Sequence, residues 1–147
     1  MELARRVAYA LNNTFWTSSA FPNTVFGFRL YNAQPYVNFD YPFQLNISFY
    51  NPGPGYLADT QMQQGGVSLD GIIAYSGGAW EGVLSKDGKK ISWKGTIGMK
   101  PVVWELVETI PPNTENNQYS DQALMELAKQ QSRYLWDRER TKYPYQS

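Results

Sequence analysis

The chain contains neither histidine nor cysteine. That removes the usual general base near neutral pH, the usual zinc ligand, the Ser-His type of triad, thiolate metal sites and any disulfide framework. Carboxylates are then the main catalytic currency, with Tyr and Lys behind them. Asp70, Glu81, Asp87, Glu105 and Glu108 fall in stretches patterned as sheet, and Asp40 stands alone between aromatic neighbours. Asp70 and Asp87 each precede glycine, a turn signature. Glu81 and Glu105 share a polar face with Lys90 and Lys94, where cross-strand charge pairing accounts for them. A lone acid such as Asp40 makes no acid–base mechanism. No enzyme, metal or cofactor is expected.

Two other constellations could bind rather than react. The glycine-rich runs Asn51–Gly55 and Gly77–Gly78 do not open a helix with a Lys, and the phosphate-loop pattern is absent, so both are loops. Lys86, Lys89, Lys90, Lys94 and Lys100 crowd one hairpin near Trp and Tyr, a combination that could hold single-stranded nucleic acid. The balance of 13 basic and 13 acidic residues argues against it.

The element that must position all of these is Ala79 to Val107. It reads as three antiparallel strands with Trp80, Trp93 and Trp104 on one face. A two-residue type I′ turn at Asp87-Gly88 would pair Leu84 with Ile91, Gly82 with Trp93 and Trp80 with Gly95. The next loop, Gly98 to Pro101, would set Ile97 by Val102, Gly95 by Trp104 and Trp93 by Leu106. Each Trp then faces a Gly or an aliphatic residue, while Glu81, Ser85, Lys90, Ser92, Lys94, Thr96 and Glu105 face water. Trp80, Trp93 and Trp104 serve either a packed core or, in a carrier, the lining of a ligand cavity.

Upstream, Phe43, Leu45, Ile47 and Phe49 alternate with polar residues in the cleanest half-buried strand. Phe26, Phe28 and Leu30 mark another, and Val37, Phe39 and Tyr41 a third. VSLDGIIAYS between glycine pairs reads as a further strand, interrupted at Asp70-Gly71. Leu3, Val7, Ala10 and Leu11 form one stripe of an N-terminal helix that stops at Asn12-Asn13. Asn12 and Asn46 sit in glycosylation-type triplets, read as coincidental. After Ile110 comes the polar linker PPNTENNQ. Ser120 then caps a helix carrying Leu124, Leu127, Ala128 and Leu135. Its charged tail bears Trp136, Tyr143 and Tyr145, an aromatic set suited to an interface.

Between Val7 and Gly78 only Arg29, Asp40, Asp59 and Asp70 are charged. Uncharged polar sheet faces do little to discourage pairing with another chain. No apolar run approaches the roughly 20 residues that span a bilayer, and Val7 to Leu11 is too short for a signal-peptide core.

The run Trp80-Glu-Gly through Asp87-Gly88 to Ile91-Ser-Trp93 resembles a hairpin of small up-and-down barrels of the calycin type, the avidin-like and lipocalin-like proteins. It covers about 30 residues of 147. The first-strand Gly-x-Trp of lipocalins is absent, since Thr14-Phe15 precede Trp16, and no biotin-site residues match. The resemblance implies a barrel and carries no ligand across.

The expectation is therefore a mostly β chain, an antiparallel barrel of seven to nine strands with a short N-terminal helix and a C-terminal helix and tail. Residues 1–110 form the barrel unit and 111–147 the linker, helix and tail. The leading function is a non-enzymatic structural or interaction subunit of a larger assembly, a virion component or multiprotein complex, intracellular or virion-borne. Its partners would be other protein subunits or copies of itself. The alternative is a calycin-like carrier of a small apolar ligand.

Overall fold

Period-two alternation needs one dry face per strand, and eight strands achieve that by closing on themselves. The computed structural model describes residues 1–51, 59–96, 99–107, 122–123 and 125–130. It comprises α1 (Glu2–Leu11), β1 (Thr14–Ser18), β2 (Phe21–Leu30), β3 (Phe43–Asn51), β4 (Asp59–Val67), β5 (Ile73–Tyr75), β6 (Trp80–Leu84), β7 (Lys90–Gly95) and β8 (Val102–Val107). Each strand pairs antiparallel with the next, and β1 also pairs with β8, giving a closed up-and-down barrel. Residues 122–123 and 125–130 are helical.

The inner face carries Trp16, Phe26, Phe28, Leu45, Ile47, Val67, Ile73, Ile91, Trp93 and Trp104, which form one buried cluster. The helix α1 closes one end of this interior. It presents Ala4, Ala8 and Leu11, all fully buried, rather than the expected stripe of Leu3, Val7, Ala10 and Leu11. The small alanines let the helix backbone approach the barrel rim. Leu3 and Val7 lie instead beside Gly71, whose left-handed φ of 78° belongs to the turn between β4 and β5.

Polar side chains weld the helix to the sheet. Asn12 Oδ1 accepts the Leu30 N–H at 2.8 Å, and the Asn13 N–H donates to the Phe28 carbonyl at 2.9 Å. Thr14 Oγ1 donates to the Leu11 carbonyl at 2.5 Å and accepts the Trp16 indole N–H at 2.8 Å. Asn12 is completely buried and Asn46 nearly so, which leaves neither asparagine accessible as a glycosylation acceptor.

The β6–β7 register is as expected: Trp80 opposite Gly95, Gly82 opposite Trp93 and Leu84 opposite Ile91. The turn differs. Gly88 alone has a positive φ, 74°, so Lys86–Lys89 make a four-residue loop closed by the Ser85 N–H on the Lys90 carbonyl. Asp87 stabilises it from inside, accepting from Ser85 Oγ at 2.6 Å and the Lys89 N–H at 3.0 Å.

The β7–β8 register departs from expectation. Trp93 lies opposite Val102 rather than Leu106, and Trp104 opposite Ile91 rather than Gly95. The slip is an even number of residues, so every side chain keeps its face. Its cause is Met99: the Met99 N–H turns back onto the Thr96 carbonyl, and its side chain occupies the space above Gly95. Ile97, with the pairing expected of it, lies outside the described residues.

One further expectation is revised, and one strand carries no alternation that would mark it. Val37 to Tyr41 is a loop, because Asn32 gathers the chain there. Its Nδ2 donates to the Gln34 and Pro42 carbonyls at 2.7 and 2.9 Å, and its Oδ1 accepts the Gln44 N–H at 2.7 Å. Conversely, the polar run Asp59–Val67 is a nine-residue strand. VSLDGIIAYS divides into the end of β4, a turn and β5, with the Gly71 N–H bonded to the Ser68 carbonyl at 2.9 Å.

Of the expected glycine–tryptophan pairs, Gly82 is the one filled by its partner. A Cβ placed there would lie 2.7 Å from the Trp93 ring and 2.9 Å from Ile91. Gly82→Ala is expected to destabilise the fold by about 1–3 kcal/mol through overpacking. Denaturant unfolding followed by Trp fluorescence reads it, and an unchanged midpoint would contradict this packing.

Candidate functional site

The interior Trp set is where a ligand-lining site was anticipated. Trp93 and Trp104 are buried with ring centroids 4.7 Å apart, and Trp80 is half-buried at the rim of the same cluster. Phe26 stacks on Trp104 at 3.8 Å with an interplanar angle of 11°. Tyr75 meets Trp93 edge-on at 5.0 Å, and Phe49 meets Tyr75 at 5.8 Å. These rings come from β2, β3, β5, β7 and β8 and fill the middle of the barrel against each other. The Trp93 indole N–H is buried within them and finds no acceptor among the described residues.

The carboxylates do not converge. Asp70 is exposed in the β4–β5 turn, Asp40 is exposed in the β2–β3 loop, and Asp87 belongs to the β6–β7 loop. The register sets Glu81 opposite Lys94 and Glu105 opposite Lys90 on the outer face. The Ser85 hydroxyl, then the Lys89 N–H, hold the Asp87 carboxyl below its ordinary range. No three His, Cys, Asp or Glu side chains among the described residues are placed to hold a metal ion. The lysines do not form one patch either. Lys86 and Lys89 sit in the loop at one end of β7, while Lys100 sits in the connection at its other end. Glu108, Trp136, Tyr143 and Tyr145 lie outside the described residues.

What the sequence pattern concealed is the β2–β3 loop. It carries Tyr31, Val37 and Phe39 at 52, 70 and 58% exposure. It is nevertheless tightly made. Besides the three hydrogen bonds of Asn32, the Tyr36 N–H bonds the Pro42 carbonyl at 2.8 Å, and Tyr9 Oη donates to the Ala33 carbonyl at 2.9 Å. Asn38 takes a left-handed φ of 69°, and the Tyr36 and Phe39 rings lie 5.3 Å apart. The signal in the sequence was Asn32-Ala33-Gln34-Pro35 followed by Tyr41-Pro42. Two turn markers ten residues apart bound a loop more readily than a strand.

A second apolar cluster sits outside the barrel. Phe15, Val25 and Tyr50 are covered by Ala128 and Leu127 of the C-terminal helical residues. That part of the C-terminal region therefore packs on its own barrel. Comparison with protein-family models, with curated proteins and with solved structures finds no match to this chain.

Burial pushes the Tyr75 phenol up to about 12 from the ordinary value of 10.0. Below pH 10 the group is neutral whether the chain is folded or not. Between 10 and about 12 the unfolded chain ionises first, so Tyr75's contribution to stability falls as pH rises through that window. Tyrosinate absorbance of the wild type minus that of Tyr75→Phe should isolate a titration near the top of this range. A difference curve centred at the ordinary tyrosine value would show the ring to be solvated.

Proposed function

We propose that this chain is a non-enzymatic structural or interaction subunit of a larger assembly, such as a virion shell or a multiprotein complex. The observation that carries it is the β2–β3 loop. Three large apolar side chains stand in solvent on a backbone fixed by five hydrogen bonds. Aromatic side chains such as Tyr and Phe are enriched at the cores of protein interfaces, and a few of them carry much of the binding energy. A loop already held in shape loses little entropy on docking. Asp40 is the only charge between Tyr31 and Pro42, so the surface presents little that would resist desolvation.

The barrel also supports a second reading, a calycin-like carrier of a small apolar ligand, favoured by the buried Trp93 N–H. Such a ligand would have to part rings that now touch. An unaccepted indole donor is compatible with that, whereas the continuous ring contacts favour a filled core.

Native mass spectrometry of the chain isolated from its source should find it in a stoichiometric protein complex. The double variant Val37→Asp/Phe39→Asp should leave that complex while keeping its melting temperature within a few degrees, since both side chains are exposed. A monomer whose Trp emission is quenched by apolar ligands would transfer the assignment to the carrier.

A further inference from the structure

At the end of the barrel away from α1, β7 outruns one of its neighbours. Its pairing with β6 continues to Gly95, opposite Trp80, whereas its pairing with β8 stops at Trp93, opposite Val102. The connection to β8 leaves the sheet. The Thr96 N–H crosses to the Ala79 carbonyl at 2.9 Å, and the Met99 N–H turns back onto the Thr96 carbonyl at 3.2 Å. Between the outer face of β7 and this connection lies a groove of about 730 Å³. Clefts that take small organic molecules run from roughly 300 to 1,000 Å³ and combine mostly apolar walls with a few convergent polar groups.

The walls of this groove are apolar. Val83 comes from β6, opposite Ser92, while Met99 and Pro101 come from the connection. Val83 and Met99 are 55 and 39% exposed. The polar groups come from one strand. Trp93 belongs to the buried interior, so Ser92, Lys94 and Thr96 share the outer face of β7 at spacing two, and all three line the groove. A backbone group joins them. The Lys90 carbonyl and the Thr96 N–H bond towards β6, and the Lys89 carbonyl accepts the Leu106 N–H of β8. Odd-numbered residues of β7 therefore direct N–H and C=O towards β8. Gly95 is the odd residue past the last β8 partner, and its N–H meets no strand on that side among the described residues. The one charged side chain lining the groove among the described residues is Lys94. Glu81 stands opposite Lys94 on β6 but outside the groove, and no ion pair joins the two.

We propose that this groove binds an amphipathic carboxylate, with its apolar body on Val83, Met99 and Pro101 and its carboxylate at Lys94. The polar groups select the charge of the occupant. A cation would face the Lys94 ammonium with no carboxylate in the groove to offset it. A neutral hydrocarbon would cover Lys94 and the Gly95 N–H and leave both without an acceptor, which costs free energy. A carboxylate accepts from the ammonium, from the Gly95 N–H and from the Ser92 and Thr96 hydroxyls, and charge-assisted bonds of this kind are the stronger ones. The same occupant removes the Val83 and Met99 side chains from water. The groove is on the outer wall and owes nothing to the ring-filled interior. It also lies at the opposite end of the barrel from the β2–β3 loop.

The test titrates the full isotope-labelled chain with decanoate and with its uncharged counterpart 1-decanol, each below the concentration at which it aggregates, and follows backbone amide resonances. Decanoate should give saturable shifts at Ser92, Lys94, Gly95, Thr96 and Met99. It should bind about fivefold tighter than 1-decanol, the scale of one exposed charge pair, and added salt should narrow that ratio. Lys94→Gln should abolish the ratio while leaving 1-decanol binding unchanged. Val83→Asp should weaken both ligands. Both side chains are exposed, and circular dichroism melts establish that the variants fold. Absence of a saturable shift overturns the proposal, as does equal binding of the two probes or decanoate binding that Lys94→Gln leaves intact. Shifts centred on Phe26 and Trp104 also overturn it, because they put the ligand inside the barrel. Val37→Asp/Phe39→Asp should bind decanoate as the wild type does, so failure of the groove and failure of the assembly reading are seen separately.

Discussion

The stack of Phe26 on Trp104, with Trp93, Tyr75 and Phe49 packed around it, is the contact on which the barrel depends. Eight strands enclose a space only just wide enough for side chains, so a barrel of this size stands or falls on how that space is filled. Hydrogen bonds join each strand to its neighbours alone. The rings join β2 to β8 across β1, and β7 to β5 across β6. Gly82 is the counterpart of this filling, because a side chain there would strike the Trp93 ring. At the capped end the same logic selects Ala4 and Ala8 in α1. The helix must lie close against inner residues that already reach the rim.

Much of this was legible in the sequence because period-two patterns report faces directly. The inward Trp set, the β6–β7 register and the strand around Phe43 to Phe49 all follow from alternation plus one turn. The β7–β8 pairing was not legible. Its offset is decided by where the Met99 side chain goes, a three-dimensional choice that alternation does not encode. Alternation also misread Val37 to Tyr41. There the apolar residues alternate, yet Asn32 supplies three hydrogen bonds that hold the ends of a loop together. Strand β4 escaped for the opposite reason. Gln61, Gln63 and Gln64 lack the β-branched or aromatic character of a buried strand, because that half of β4 rises beyond the enclosed interior.

The misreading of Val37 to Tyr41 hid the candidate interaction surface. A loop taken for a strand is assigned a dry face for its apolar residues, so Val37 and Phe39 looked like core. The absence of His and Cys, by contrast, is read from composition, and no fold alters it.

The scarcity of charge before Gly78 can now be divided between two causes. Part of that surface is covered by the chain itself: Phe15, Val25 and Tyr50 face outward from β1, β2 and β3, and Ala128 and Leu127 lie upon them. A face buried under a helix has no use for Lys or Glu, and its polarity requires no external partner. That explanation does not extend to the overhang of β4, whose Gln61, Gln63 and Gln64 are exposed. Nor does it extend to the β2–β3 loop, which is exposed and apolar. By contrast β6, β7 and β8, also exposed on their outer faces, carry Glu81, Lys90, Lys94 and Glu105 in alternation. One molecule therefore treats its exposed sheet surfaces in two ways. It charges the outer face of β6, β7 and β8 and leaves uncharged the overhang of β4, beside which no partner strand lies among the described residues.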